Sequence, residues 1–118
     1  MTSPKDSRHL EIKDETDRTV AAADVTTAQG PEGTVRTSMH SDPYVQSGTR
    51  ASLVDAVMDL PEVQASDRVE AAVPYGDAES LERLRQRTED AQTRAAGATT
   101  LFDANIPDAG DPEDEPRP

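Results

Sequence analysis

The uneven distribution of large apolar residues is the feature that most limits how this chain can fold. Leu, Ile, Val and Phe together number 18 of 118 residues, and 14 of them lie within residues 34 to 106. A chain with less than about 20% of such residues and a high net charge is commonly disordered. Because the net charge is −12, any core must be built mainly from this central segment.

This distribution predicts one domain over residues 9 to 106, best supported for residues 34 to 106, between disordered ends. Residues 107 to 118, "PDAGDPEDEPRP", contain four prolines and five acids. That composition excludes a helix interior and a buried strand, so we expect a solvated acidic tail. Residues 1 to 8 are expected to be disordered as well.

In the stretch "RVEAAVPYGDAESLERLRQR", apolar residues first recur at every second position and then at every third or fourth position. The first part predicts a strand with one apolar face, formed by Val69, Ala71, Val73 and Tyr75. Gly76 then permits a turn, and Asp77 is placed to cap a helix. We expect that helix to continue to Gly97 with an internal Glu79–Arg83 pair. Its predicted apolar face is Leu81, Leu84, Thr88, Ala91 and Ala95.

A second helix is predicted by "SGTRASLVDAVMDLP", capped by Ser47 or Thr49 and ended by Pro61. Its predicted apolar stripe is Leu53, Ala56, Val57 and Leu60. The alternation of "GTVRTSMH" and "ATTLFDANI" predicts two more strands, with inner residues Val35, Thr37 and Met39, and Thr100, Phe102, Ala104 and Ile106. One N-terminal strand is expected, at "HLEIK" or "RTVAAADVT". The order ββαβαβ predicts an α+β two-layer sandwich, with about four strands in a mixed sheet and two helices on one face.

The composition also limits which binding partners and which cellular compartment we expect for this protein. The chain has no cysteine, so no disulfide or thiolate metal site is expected, which fits a cytoplasmic protein. No run of about 18 apolar residues or apolar signal-peptide core is present, so we expect no membrane span. The net charge of −12 opposes direct binding to nucleic acid and to anionic membranes.

No motif for catalysis, a cofactor or a metal emerges. His40 and Asp42 in "HSD" suggest half of a metal site or catalytic relay, but no other His or Cys lies nearby. His40 is therefore expected to be a solvated side chain on the polar face of its strand.

Two predicted helix starts could hold an anion. At "PYGDAES" the carboxylates of Asp77 and Glu79 already supply the negative charge, so capping is the better interpretation. At "YVQSGTRAS", capping by Ser47 or Thr49 is the favoured interpretation. The alternative is a site in which Ser47, Gly48, Thr49 and Arg50, with Tyr44 nearby, hold a small anionic or polar group.

We interpret the chain as a small non-enzymatic module that binds another protein or itself, with no cofactor. The candidate binding surface is His40, Asp42, Tyr44, Thr49, Arg50 and Tyr75. One alternative is a small-ligand-binding domain or small enzyme with a pocket near residues 40 to 50. Another is an acidic mimic of nucleic acid that inhibits a protein with a basic groove.

Overall fold

A computed structural model describes residues 5–28 and 33–107, and these residues form one six-stranded sheet and three helices. The elements in chain order are β1 (Lys5–Lys13), β2 (Thr19–Ala28), β3 (Thr34–Ser41), α1 (Thr49–Met58), α2 (Pro61–Gln64), β4 (Arg68–Pro74), α3 (Ala78–Gln86), β5 (Glu89–Ala96) and β6 (Thr99–Asn105). The strand order across the sheet is β1-β2-β3-β4-β6-β5. All neighbours are antiparallel except β3 and β4, which are parallel.

The predicted fold class is therefore wrong in its strand count, helix count and order. The sheet has six strands rather than about four, and the order is βββααβαββ rather than ββαβαβ. The difference consists of two further strands, one at the N-terminus and one within the predicted long helix, and of the short helix α2. β1 begins at Lys5, inside the segment expected to be disordered, whereas the acidic tail from residue 108 onward lies outside the described residues.

Both candidate N-terminal segments form strands and pair with each other as a hairpin. Leu10 lies opposite Ala23, and Leu10 and Ile12 pack as half-buried residues against the core. The turn depends on Asp14, whose carboxylate accepts hydrogen bonds from the amides of Thr16 and Arg18 at 2.8 and 3.1 Å. We expected one strand here because neither segment alone carries a strong pattern; each is stabilised by pairing with the other.

The alternation predicted for β3, β4 and β6 is confirmed. Every second side chain of β3, β4 and β6 is buried on the face covered by the helices. The buried residues are Val35, Thr37 and Met39 of β3; Val69, Ala71 and Val73 of β4; and Thr100, Phe102 and Ala104 of β6. Tyr75 does not extend this face, since it follows the end of β4 and is 69% exposed.

Helix α1 occupies the predicted segment but buries a different stripe and lacks the predicted cap. It buries Leu53, Val54, Val57 and Met58, whereas Ala56 is exposed. Gly48 is the N-cap, and no side chain caps the helix, so capping by Ser47 or Thr49 is wrong. Pro61 begins the short helix α2, where its missing amide hydrogen costs nothing.

The largest local error concerns the predicted long helix, which ends at Gln86. The following segment forms the edge strand β5, and all eight of its residues are exposed. Its backbone pairs with β6, where Thr93 lies opposite Phe102 and Ala95 opposite Thr100. Gly97, at φ 65°, turns the chain between these two strands rather than stopping a helix. Asp77 does cap α3 as predicted, by accepting a hydrogen bond from the Ser80 amide at 3.0 Å.

The core lies between the helices and one face of the sheet. Its buried members are Ala21, Ala23, Val25, Val35, Met39, Leu53, Val54, Val57, Met58, Val63, Val69, Ala71, Val73, Leu84, Phe102 and Ala104. The opposite face is polar and carries cross-strand pairs such as Arg36–Glu70 at 3.0 Å. None of the helices within residues 5–28 and 33–107 is both long and apolar enough to cross a membrane.

An ion-pair cluster joins the carboxyl-terminal halves of α1 and α3. The Arg83 guanidinium donates to both carboxylate oxygens of Asp55, at 2.9 and 2.7 Å. Arg87 donates to Asp55 and to Asp59, at 2.7 Å each. The hydrogen bond from Arg83 is the main reason that the pKa of Asp55 lies below its usual value.

We expect Phe102→Ala to lower the free energy of unfolding by about 3–5 kcal/mol, because Phe102 is the largest fully buried side chain and its removal leaves a cavity. Tyr75→Ala removes a comparable ring from the surface and should change stability by less than about 0.5 kcal/mol. Urea denaturation of both variants checks this. Equal losses in the two variants would contradict the described core.

Asp55→Asn should lower stability at neutral pH by about 1–3 kcal/mol, because it removes a charged acceptor from two arginines. The folded pKa of Asp55 is lowered, so its contribution is present above the unfolded value and is lost as pH falls through the folded value. The parent and the variant should therefore converge in stability as the pH falls below about 4. Urea denaturation across this range measures the difference, with Glu82→Gln on the exposed side of α3 as the control. A difference that stays constant with pH would exclude this ion pair as its source.

Candidate functional site

The parallel pair β3–β4 brings two helix starts to one edge of the sheet. β3 is followed by the loop to α1, and β4 by the turn to α3. The two strands pair from Thr34 opposite Arg68 to Ser38 opposite Ala72. Both strands continue beyond that point, but no further pair forms between them in the described chain. We call the gap between Met39–Ser41 and Val73–Pro74 the β3–β4 cleft. Ligands of open α/β sheets bind at such carboxyl ends of parallel strands.

The start of α1 presents backbone amides beside this cleft. Gly48 adopts a left-handed conformation with φ 94°, and a Cβ built there would meet nothing within 4 Å. The Thr49 amide donates to the Gln46 carbonyl at 3.1 Å. The Arg50 amide has no acceptor within residues 5–28 and 33–107. The helix dipole adds positive character at this end, so the backbone favours an anion there.

Arg50 bridges the mouth of the β3–β4 cleft. Its guanidinium donates to the Ser41 hydroxyl at 2.6 Å and to the Asp42 carbonyl at 3.0 Å. It also lies 4.0 Å from the carboxylate of Asp77, and its side chain is only 24% exposed. A half-buried cation with mostly neutral acceptors raises the local positive potential.

The start of α3 provides two carboxylates with different roles. Asp77 is buried and serves its own helix, by accepting from the amide and the hydroxyl of Ser80 at 3.0 and 2.7 Å. Glu79 instead serves the neighbouring helix, since its carboxylate accepts from the Ala51 amide in the first turn of α1 at 3.0 Å. The predicted Glu79–Arg83 pair does not form, because Arg83 binds Asp55.

A groove of about 990 Å³ lies beside the start of α1. It is formed by the β1–β2 turn on one side and the loop from β3 to α1 on the other. Its lining residues are Ile12, Lys13, Asp14, Glu15, Thr16, Arg18, Val20, Asp42, Pro43, Tyr44, Val45, Gln46 and Thr49. The side chain of Arg18 crosses it to reach the Asp42 carboxylate at 2.6 Å. The groove thus offers an apolar strip between paired charges.

The structure brings together four of the six residues of the predicted binding surface. Asp42, Tyr44 and Thr49 line the groove, and Arg50 contacts the backbone of Asp42 from the cleft. Tyr44 is 96% exposed, so it forms the outer wall. His40 and Tyr75 lie apart from the groove lining, His40 as an exposed residue of β3 and Tyr75 after β4.

Sequence reasoning missed Glu79 and Arg18. The pattern placed Glu79 in the first turn of α3, where a role toward that helix was the simplest interpretation. Its contact with Ala51 depends on the packing of two helices that are 28 residues apart in sequence, which no local signal reveals. No group of three or more potential metal ligands occurs within the described part of the chain.

Comparisons with known proteins identify the fold. No family model matches the sequence, and no curated protein does. Solved structures do match. A ribosomal-protein alanine acetyltransferase from Vibrio fischeri aligns with a TM-score of 0.63 and 15% identity, over 90% of this chain and 64% of that one. A GNAT superfamily phosphinothricin acetyltransferase from Sinorhizobium meliloti, solved in complex with AcCoA, aligns with a TM-score of 0.58 and 12% identity, over 92% and 65%. An acetyltransferase from Bacillus cereus gives 0.61 and 10%, over 88% and 76%.

These likenesses correct the leading functional prediction. The neighbours are acetyltransferases, so the prediction of a non-enzymatic protein-binding or self-associating module is wrong, and the alternative of a small enzyme with a pocket near residues 40 to 50 agrees better. The chain spans about two thirds of the length of two of these neighbours. The fold of this protein is that of the GNAT acetyltransferases.

Proposed function

We propose that this protein binds acetyl-CoA at the β3–β4 cleft and the start of α1, and that it is a small acetyltransferase. The observation that carries the proposal is the end of β3–β4 pairing at Ser38 and Ala72, directly beside the open amino end of α1. An extended ligand with an anionic group can use both features at once. The fold shared with acetyltransferases, one of them solved with AcCoA, supports the same ligand.

The backbone at the start of α1 fits the diphosphate of such a ligand. Gly48 leaves open space where a side chain would stand, so a phosphate can approach the main chain closely. The Arg50 amide is available as a donor, and the Arg50 side chain adds a cation nearby. Thr49, Arg50 and Ala51 stand in this segment where phosphate-binding loops have further glycines, so their side chains restrict the approach to the side of Gly48.

The cleft itself fits the amide-bearing arm that links the diphosphate to the thiol. On the side facing β4, the backbone of Met39–Ser41 has no strand partner among the described residues. Such backbone groups bind an extended chain by forming hydrogen bonds like those of an added strand. When bound, the cofactor supplies an acetyl thioester whose carbonyl carbon is open to attack by an amine.

The groove beside α1 provides further space for the proposed ligand. About 990 Å³ is at the upper end of the range for small-molecule sites. Lys13 and Arg18 are the cations of its lining. Both are already paired with carboxylates, Lys13 with Asp17 at 3.7 Å and Arg18 with Asp42 at 2.6 Å. The lining also carries Asp14 and Glu15, so a ligand that enters the groove meets a slightly acidic surface beside the apolar side chains of Ile12, Val20 and Val45.

We expect the full chain to bind acetyl-CoA, and Gly48→Ala to weaken that binding by about tenfold or more, because the new Cβ occupies the approach to the α1 amides. Gly97→Ala is the matched control. It also places a side chain at positive φ with open space around it, but in the β5–β6 turn. Both variants should lose about 1–2 kcal/mol of stability. Isothermal titration calorimetry measures binding, and urea denaturation measures stability.

Acetyl transfer is measured as release of the free thiol in the presence of a panel of primary amines. The protein has no cysteine, so it contributes no thiol background to this assay. Absence of acetyl-CoA binding by the parent protein would refute the proposed function. Equal weakening by Gly48→Ala and Gly97→Ala would place the ligand elsewhere.

A further inference from the structure

The carboxylate of Glu79 occupies the position where α1 would receive an anionic ligand. Glu79 is the second residue of α3, and Ala51 is the third residue of α1. The Glu79 carboxylate accepts the Ala51 amide hydrogen bond at 3.0 Å, and both groups are partly buried. A first-turn amide of one helix is thus held by an acid from another helix, at the end where the dipole favours negative charge.

Glu79 is not the cap of the helix that carries it. Asp77 already caps α3 through the amide and hydroxyl of Ser80. Arg83, one turn further along, pairs with Asp55 instead of Glu79. Among the described residues, Glu79 forms no ion pair, and the Ala51 amide is its one hydrogen-bond donor. Its carboxylate is therefore held by the start of α1 alone.

Arg50 is the cation nearest to this position, and its guanidinium is not paired with Glu79. The Arg50 guanidinium binds the Ser41 hydroxyl and the Asp42 carbonyl, and its nearest carboxylate is that of Asp77 at 4.0 Å. A half-buried cation, a free Arg50 amide and a displaceable carboxylate therefore meet at one helix start. A phosphate group that takes this position must move the Glu79 carboxylate, because two anions at one amide repel each other.

We propose that Glu79 is a built-in competitor, which holds the Ala51 amide until a phosphate-bearing ligand displaces it. This inference rests on the proposed function, because it concerns the same helix start. The consequence is that Glu79 sets the affinity of the site for anions and keeps it closed to weakly bound phosphates. A ligand occupies the site only if the free energy of its other contacts, in the cleft and the groove, is larger than the free energy needed to release Glu79 into solvent.

Glu79→Gln is the informative substitution, because it removes the charge and keeps a side-chain oxygen that can accept from Ala51. We expect it to tighten binding of acetyl-CoA by about tenfold. Glu79→Ala removes both charge and acceptor and should tighten binding at least as much. Glu82→Gln is the matched control, because it removes one negative charge from the exposed side of the same helix, where Glu82 has no partner among the described residues. It should leave the affinity within about twofold of the parent.

Inorganic pyrophosphate serves as a second probe that does not depend on acetyl-CoA being the ligand. It is titrated into the full ¹⁵N-labelled chain, and the amide resonances of Arg50 and Ala51 are followed by NMR. We expect saturable shifts of these two resonances in Glu79→Gln at concentrations about tenfold lower than in the parent and in Glu82→Gln.

The two probes separate the two claims. If acetyl-CoA binds the parent and Glu79→Gln equally, the competitor role is overturned and the proposed function stands. If Glu79→Gln gains pyrophosphate binding while acetyl-CoA binds no variant, the competitor role stands and the proposed function fails. If neither ligand shifts the Ala51 resonance in any variant, the helix start binds no phosphate and both claims are overturned.

Discussion

The parallel pairing of β3 with β4 is the constraint on which the rest of this structure depends. Two antiparallel hairpins flank it, β1–β2 with β3 on one side and β6–β5 on the other. A parallel pair requires a crossover, which here consists of α1 and α2 between residues 49 and 64. That crossover covers one face of the sheet. Because β3 and β4 are parallel, the helices that follow them, α1 and α3, begin at the same edge. The cleft, Arg50 and Glu79 all follow from this one pairing.

The composition is strongly acidic, and local ion pairs and hydrogen bonds offset part of the negative charge. The chain carries 24 acids and 12 lysines and arginines, so self-repulsion opposes a compact state. Several acids of α1 and α3 are nevertheless engaged. Asp55 holds two arginines, Asp77 caps α3, and Glu79 accepts from α1. These contacts place negative charge where backbone amides and guanidinium groups offset it.

The small number of large apolar residues explains why the helices cover only one face of the sheet. With so few large apolar residues, the chain can build one apolar layer, between the sheet and the helices. The other face carries charged pairs between strands, Arg36–Glu70 across the parallel pair β3–β4 and Arg68–Asp103 across the antiparallel pair β4–β6. The groove and the start of α1 lie at the edge of the covered layer, where loops replace regular packing and backbone amides remain accessible. A site at this edge therefore takes no apolar side chain away from the core.

Several elements were predictable because their patterns are local. Alternation located β3, β4 and β6, and the cap residue Asp77 was identified from its place after Gly76. The segment of β5 was predicted as helix, since "EDAQTRAA" is rich in residues that favour helices. It is a strand because β6 presents an unpaired backbone edge, and pairing that edge outweighs a weak local preference.

At the candidate site, the same division applies. The sequence "YVQSGTRAS" by itself indicated a helix start that could hold an anionic or polar group, although it favoured Ser47 or Thr49 as the cap where the structure has Gly48. Only the tertiary structure decided which groups meet there. The carboxylate of Glu79 reaches Ala51, and Arg50 reaches Ser41 and lies near Asp77, across long stretches of chain. Such contacts depend on how helices pack on a sheet, and packing is set by the whole core rather than by neighbours in sequence.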